Sequence, residues 1–156
     1  MSNDQHGGFE LPGTSRPLPD EDLRKKREAV VIEHTIAEVA WDIDGVLATF
    51  PRGGVYKIIP FEEAPLVGEE AIKGYFADMR TSFPDLDHDV FSVSHTADAI
   101  VMEAQINGTQ VADWRGIPNK GKRMSLPVAV FFHFDGDVLL DETIYYDHAT
   151  AIRQLT

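Results

Sequence analysis

Cysteine is absent from this chain of 156 residues. Its absence excludes a disulfide framework, thiolate zinc and iron–sulfur sites, and thiol catalysis. Positive charge is scarce. Fourteen Lys and Arg stand against 26 Asp and Glu, a net charge of −12. Such a chain repels phosphate backbones, so nucleic acid and anionic membrane surfaces are poor partners. Long apolar runs are also missing: the longest, about Val128–Phe132, falls far short of the roughly 20 residues of a membrane span. Met1–Asp20 is polar and lacks the apolar centre of a secretory leader, which favours a cytoplasmic protein. Neither a Gly-x-Ser-x-Gly elbow nor a His-Glu-x-x-His metal motif occurs. What is present is 43% hydrophobic and 26% charged, an ordinary globular mixture. The length suits one domain that buries about 70% of its unfolded surface.

Residues 1–19, with three Gly and three Pro, read as a flexible N-terminal arm, and 20–156 as a single domain. Asp20 before Glu21 and Asp22 forms an N-cap with acids in the first turn. Apolar residues from Ala29 to Ile43 then recur at helical spacing, which predicts a long helix over about 20–42. Gly45-Val46-Leu47-Ala48 suggests a short second helix, Val55–Phe61 a strand, and Gly68–Phe83 a third helix closed by Pro84. Strands follow over Asp89–His95, Ile100–Ile106, Ser125–Phe134 and Val138–Tyr146, the last two joined at Asp135-Gly136. Helices followed by an antiparallel sheet give an α+β order. A curved sheet wrapped around three helices would enclose a cone-shaped pocket.

The series Phe83-Pro84-Asp85-Leu86, Gly108-Thr109, Gly116-Ile117-Pro118, Gly121-Lys122, Phe134-Asp135-Gly136-Asp137, Tyr145-Tyr146-Asp147 and Arg153-Gln154-Leu155 resembles the SnoaL-like polyketide cyclases over about residues 22–156. The resemblance implies a nuclear transport factor 2-like cone with an apolar pocket, dimerised through its sheet. It also implies cofactor-free proton chemistry on polyketide- or steroid-like carbonyl compounds. In that family an Asp on the last strand works with a His facing it across the final hairpin. Counting outward from Gly136 places Ala129, Thr143 and Ile144 at those positions. The family pair is therefore absent from its expected places, and two readings stand: an enzyme with a different carboxylate, or a non-catalytic binding or assembly module for a hydrophobic small molecule.

Alternation places Val138, Leu140, Glu142, Ile144 and Tyr146 on one strand face, apolar apart from Glu142. A carboxylate there has its pKa raised by desolvation and can serve as a general base; an inverted face would put Asp141 in its place. His34 shares a helix stripe with Val30, Ala37 and Trp41, as a proton carrier or as a satisfied core histidine. Tyr56, Tyr146 or the Trp114 N–H would stabilise an oxyanion. Glu142, Tyr146 and His34 are thus the candidate catalytic residues. Trp41, Tyr56, Phe76, Met79, Trp114 and Phe132 are the candidate pocket wall, with Trp41, Phe76, Met79 and Trp114 together at one end.

Other signals are discounted. His133 and Asp147 lie roughly 26–30 Å apart along paired strands and cannot share a proton. Asp147 reads as a local anchor of the strand exit, and Glu103 as an outward residue. Gly116–Arg123 resembles a phosphate loop but ends in Arg and precedes a strand. Asp85, Asp87, His88 and Asp89 read as the acidic start of a solvated strand, and Asp135-Gly136-Asp137 lacks the other calcium ligands. No metal or cofactor is called for.

Overall fold

The structure, a computed structural model, describes residues 11, 13, 16–61 and 63–156. Most of the expected N-terminal arm lies outside them. Within its last part, Arg16 lies 3.0 Å from Asp98.

Asp20 accepts the Leu23 N–H at 2.9 Å and opens α1 (Glu21–Val39). The helix stops three residues before the expected end because Trp41 takes a φ of 57°, in the left-handed region that terminates helices. Asp42 then caps α2 (Ile43–Ala48) through the Gly45 N–H at 3.0 Å. After β1 (Val55–Ile59) and β2 (Leu66–Val67), α3 (Glu69–Ser82) ends just before Pro84. The long strands are β3 (Asp87–His95), β4 (Ala99–Thr109), β5 (Arg123–Asp135) and β6 (Val138–Tyr146). A fourth helix, α4 (His148–Leu155), follows where the sequence pattern suggested no element. Asp147 is its N-cap, accepting from Ala149 N–H at 3.0 Å and Thr150 Oγ1 at 2.5 Å.

The strands form one curved, unclosed sheet in the order β2-β1-β6-β5-β4-β3. Every pair is antiparallel except β1 with β6, which run parallel and set Tyr56 beside Glu142. This departs from an all-antiparallel meander: β1 enters the sheet between β2 and the last strand. The β5–β6 hairpin turns where Asp135 and Gly136 place it, but its register slips between His133 and Phe134. The slip pairs Phe134 with Leu139 and His133 with Asp141, so strict alternation fails at Leu140. Leu139, expected to face outward, is fully buried in the core. Glu142 still faces inward, opposite Phe132.

The main core joins α1, α2 and α3 to the inward residues of β1, β4, β5 and β6. A smaller one gathers Met79, Phe83, Trp114, Met124 and Leu155 under α4. Arg27, buried on α1, donates to Gly136 O at 2.7 Å and Ala97 O at 3.2 Å and so pins the helix to two strand turns. Gly54 lets β1 enter against α3, because a Cβ there would lie 2.8 Å from Ile72 Cδ1 and from Phe50 Cδ2. Among the described residues no helix is long and apolar enough to cross a membrane.

Candidate functional site: a buried carboxylate–histidine cluster at an apolar chamber

α1, α2, β1 and β6 each send one or two polar side chains to a single buried point. His34 and Glu38 come from successive turns of α1, Thr49 from the end of α2, Tyr56 from β1 and Glu142 from β6. His34 is 0% exposed and Glu142 2%. His34 Nε2 lies 2.9 Å from Glu142 Oε2, 3.5 Å from Glu38 Oε1 and 2.7 Å from the Tyr56 hydroxyl oxygen.

Hydrogen-bond count fixes the proton on one side of the ring. Thr49 Oγ1 donates its only hydrogen to Val46 O at 2.6 Å, so it accepts from His34 Nδ1–H, also at 2.6 Å. Tyr56 donates to Glu38 Oε1 at 3.0 Å and is left to accept from His34 Nε2–H. Both ring nitrogens are donors in this arrangement, which makes His34 an imidazolium between two carboxylates.

The electrostatics agree. Burial alone would lower the His34 pKa, but Glu38 and the hydrogen bond to Glu142 outweigh it and raise it to about 10. Burial pushes Glu142 up, repulsion from Glu38 adds to this, and His34 and Tyr56 only partly offset them, so its pKa stands at about 7. Glu38 feels burial as well, yet His34, His88 and Tyr56 hold its carboxyl below the ordinary value. Tyr56 is pushed well above the usual phenol range by burial and both carboxylates. The arrangement therefore splits two neighbouring carboxylates: one stays ionised, the other is poised near neutrality. The ligand atoms of His34, Glu38 and Glu142 all lie within 4.8 Å of one another, a spacing that could also receive a cation. Their hydrogen bonds describe proton sharing instead.

Glu38 and Glu142 form part of the wall of an interior chamber whose other residues include Trp41, Phe76, Met79 and Val130. We call this the base chamber. A second one, the far chamber, shares Tyr75, Met79, Ile106, Val128 and Ile144 with it and continues to Trp114, Arg115 and Tyr146. Each has a free volume of about 40 Å³, room for a few waters before side chains move.

The residues singled out in the sequence distribute unequally. Glu142, Trp41, Phe76 and Met79 line the base chamber. His34, Tyr56 and Phe132 lie beneath its wall; Phe132 packs edge-on against His34 with centroids 5.8 Å apart. Trp114 does not join Trp41 and Phe76 at one end. It lines the far chamber, on the β4–β5 connection that is tied to Ser82 at the end of α3. Tyr146 also faces the far chamber, and its hydroxyl is 3.1 Å from His148 Nδ1. Asp141 points outward to His133 at 2.7 Å and Lys57 at 3.3 Å. His133 is thus paired across the hairpin rather than solvated alone.

Two functional positions escaped the sequence reading. Glu38 stands one helical turn from His34, a step that could have flagged it. His88, read as part of a solvated acidic strand, lines the base chamber, and its Nδ1 has no hydrogen-bond partner among the described residues. The alternation of Asp87 and Asp89 outward with His88 inward was the available signal.

A curved, unclosed sheet with helices packed on it is the nuclear transport factor 2-like fold. The SnoaL-like polyketide cyclase family model matches residues 30–155, and the chain belongs to that family. Solved structures agree on the fold. A protein from Jannaschia sp. CCS1 assigned to the SnoaL-like polyketide cyclases superposes with a TM-score of 0.77 at 17% identity, over 89% of this chain and 97% of that one. A polyketide cyclase assignment from Silicibacter sp. TM1040 gives 0.71 at 22% identity, over 85% and 96%. The epoxide hydrolase/cyclase-like enzyme SalBIII, of pyran ring formation in salinomycin, gives 0.67 at 14% identity, over 81% and 95%. A search of curated proteins by sequence finds no significant match.

Proposed function

We propose that this protein catalyses cofactor-free proton transfer on an apolar carbonyl compound, with Glu142 as the base. The observation that carries this reading is a carboxylate 2% exposed, with a pKa of about 7, in the wall of an apolar chamber. Above pH 7 Glu142 is ionised and takes the proton from a carbon next to the carbonyl. The enolate so formed attacks a second carbonyl (aldol cyclisation) or is reprotonated elsewhere (isomerisation). His34 acts from beneath as a positioning residue: it fixes Glu142 Oε2 and keeps the second carboxylate from pushing the pKa higher still. Tyr56 is committed to Glu38 and Tyr146 lies at the other end, so neither is the oxyanion donor in this reading. That role falls to His88, which lines the same chamber and whose Nδ1 has no hydrogen-bond partner among the described residues.

The test is exchange of the acidic C–H of an alkyl 3-oxo ester in D2O, followed by proton NMR. Exchange above the buffer rate should rise with pH through about 7 and then level, as Glu142 loses its proton. Exchange no faster than buffer at any pH would overturn the reading. It would leave the second one, a non-catalytic binder, which the internal pairing of the cluster's own polar groups favours.

The family's dimer is part of the same proposal. Phe91 is 65% exposed and, with Pro127, Ala129 and Tyr145, lines a shallow groove on the outward face of the sheet. A second copy of the chain should cover it. Light scattering should give twice the chain mass at micromolar concentration, and Phe91→Glu with Tyr145→Lys should halve it; a wild-type monomer would remove the dimer from the proposal.

A further inference from the structure

The base chamber and the far chamber share the wall formed by Tyr75, Met79, Ile106, Val128 and Ile144, so a ligand spanning both would run from Glu142 to Trp114. We propose that the Trp114 indole N–H is a second recognition point. It takes an uncharged oxygen acceptor (a ketone, ester or ether oxygen) at the end of the ligand away from Glu142. The inference rests on reading the interior as a ligand pocket, but it does not require Glu142 to act as a base.

The first argument is an unfilled hydrogen bond. Trp114 is 4% exposed, and its Nε1–H has no hydrogen-bond partner among the described residues. Acceptors close to it along the chain are already occupied. Ile117 O takes the Trp114 backbone N–H and Gln110 Nε2, each at 3.0 Å, and Asp113 O takes Ser82 Oγ at 3.2 Å. The other tryptophan, Trp41, donates to Pro84 O at 3.1 Å. A buried N–H without an acceptor is costly and rare, so its persistence on a chamber wall points to an acceptor brought by a ligand.

The second argument is placement. Trp114 and Ile117 exchange backbone hydrogen bonds at 3.0 and 2.8 Å, and Val111 N–H donates to Ser82 O at 2.9 Å, which ties this connection to α3. The indole packs edge-on against Phe83, with ring centroids 5.2 Å apart. A donor fixed from several sides is ordered before any ligand arrives, so binding does not have to order it. The space beside it is small, about 40 Å³, and must widen to take a chain. Met79 and Met124 line the same chamber, and their unbranched thioether side chains are the kind that yields most easily.

The third argument is the class of acceptor. An indole N–H is uncharged and offers one bond, which satisfies one lone pair of a neutral oxygen. Much of the remaining wall is aliphatic, including Ile58, Leu126 and Val128. Stripping water from an anion against such a wall costs more than one neutral hydrogen bond returns. Arg115 lines the chamber too, but its guanidinium is already engaged, 3.8 Å over the Phe61 ring. The open donor is the neutral one.

The test compares octan-2-one with 2-methyloct-1-ene, in which a CH2 group replaces the carbonyl oxygen, by calorimetric titration of the full chain. Octan-2-one should bind about fivefold more tightly or better, the worth of one neutral hydrogen bond. It should also move one indole N–H resonance downfield, the one retained in Trp41→Phe, whereas the alkene should not. In Trp114→Phe, which keeps an aromatic ring and removes the donor, the preference should fall below about twofold while alkene affinity changes little. An unmoved indole resonance, a preference undiminished in Trp114→Phe, no binding of either probe, or octanoate binding more tightly than the ketone would overturn the proposal. Glu142→Gln should leave the resonance shift and the ketone preference intact, which separates this recognition point from the chemistry proposed at the other end.

Discussion

Glu142→Gln should lower 3-oxo ester exchange by two decades or more at pH 8, with little loss of stability. Gln keeps the size of Glu142 and can still accept from His34 Nε2–H, 2.9 Å away in the wild type. It cannot take a proton, so the whole contribution of a general base, about 10²–10⁴-fold, is removed. It also removes a buried charge repelled by Glu38, which offsets what the altered hydrogen bond loses. Asp141→Asn is the matched control, because Asp141 faces outward and pairs with His133 and Lys57. Its rate should stay within about twofold of wild type, as for most changes outside a site. Equal losses in both variants would mean damage to the strand, and an unchanged rate in Glu142→Gln would end the assignment of the base.

His34→Ala should be the most destabilising single change at the site. It leaves Glu38 and Glu142 buried together without the cation between them, and breaking such an arrangement costs about 3–5 kcal/mol. Urea unfolding measures this, and the sign of its pH dependence follows from the shifts. The His34 pKa is raised from 6.5 to about 10 on folding, so the folded state holds that proton more tightly. Its contribution is complete below pH 6.5 and is lost as pH rises through about 10. Glu142, raised from 4.5 to about 7, adds a loss between those two values. Glu38 is lowered and acts in the other sense, its contribution disappearing as pH falls through its depressed pKa. The gap between wild type and His34→Ala should therefore be wide near pH 6 and narrow steadily towards pH 10. A gap that does not change with pH would mean that His34 is neutral and merely packed.

How much of this was legible beforehand depended on which period carried the signal. Glu142 stood out because one polar residue interrupted an apolar face of period two, and the fold kept that phase near the residue. Leu139 was misplaced by the same rule, since the slip beside it depends on how β5 and β6 pair, which no single strand reveals. His34 was visible on its helix, yet Glu38 was hidden by a stripe drawn through Ala37 and Trp41 instead. The stripe failed because the helix ends at Val39 and Trp41 takes a left-handed φ, so that residue leaves the helical phase altogether. His88 and Arg115 were obscured by company: acids around the first and basic residues around the second suggested solvent, while backbone direction turned one side chain of each group inward. The segment order and the resemblance it carried were enough for the fold. They could not supply the parallel meeting of β1 with β6, on which the approach of Tyr56 to Glu142 depends.

That meeting has a consequence for how the protein is made. His34 and Glu142 are 108 residues apart, and the carboxylate comes from the last strand. A chain still emerging from the ribosome can form α1, α2 and β1, but its histidine then has neither the burial nor the partner that keep it charged. The sheet must also accept β1 beside a strand synthesised much later, a pairing of high sequence separation and hence slow closure. Until that happens the apolar side of α1 and the edge of β1 stay open to other chains, which is the period of greatest aggregation risk. The finished cluster thus reports completion: a truncated product lacking β6 cannot assemble it, however well its helices form.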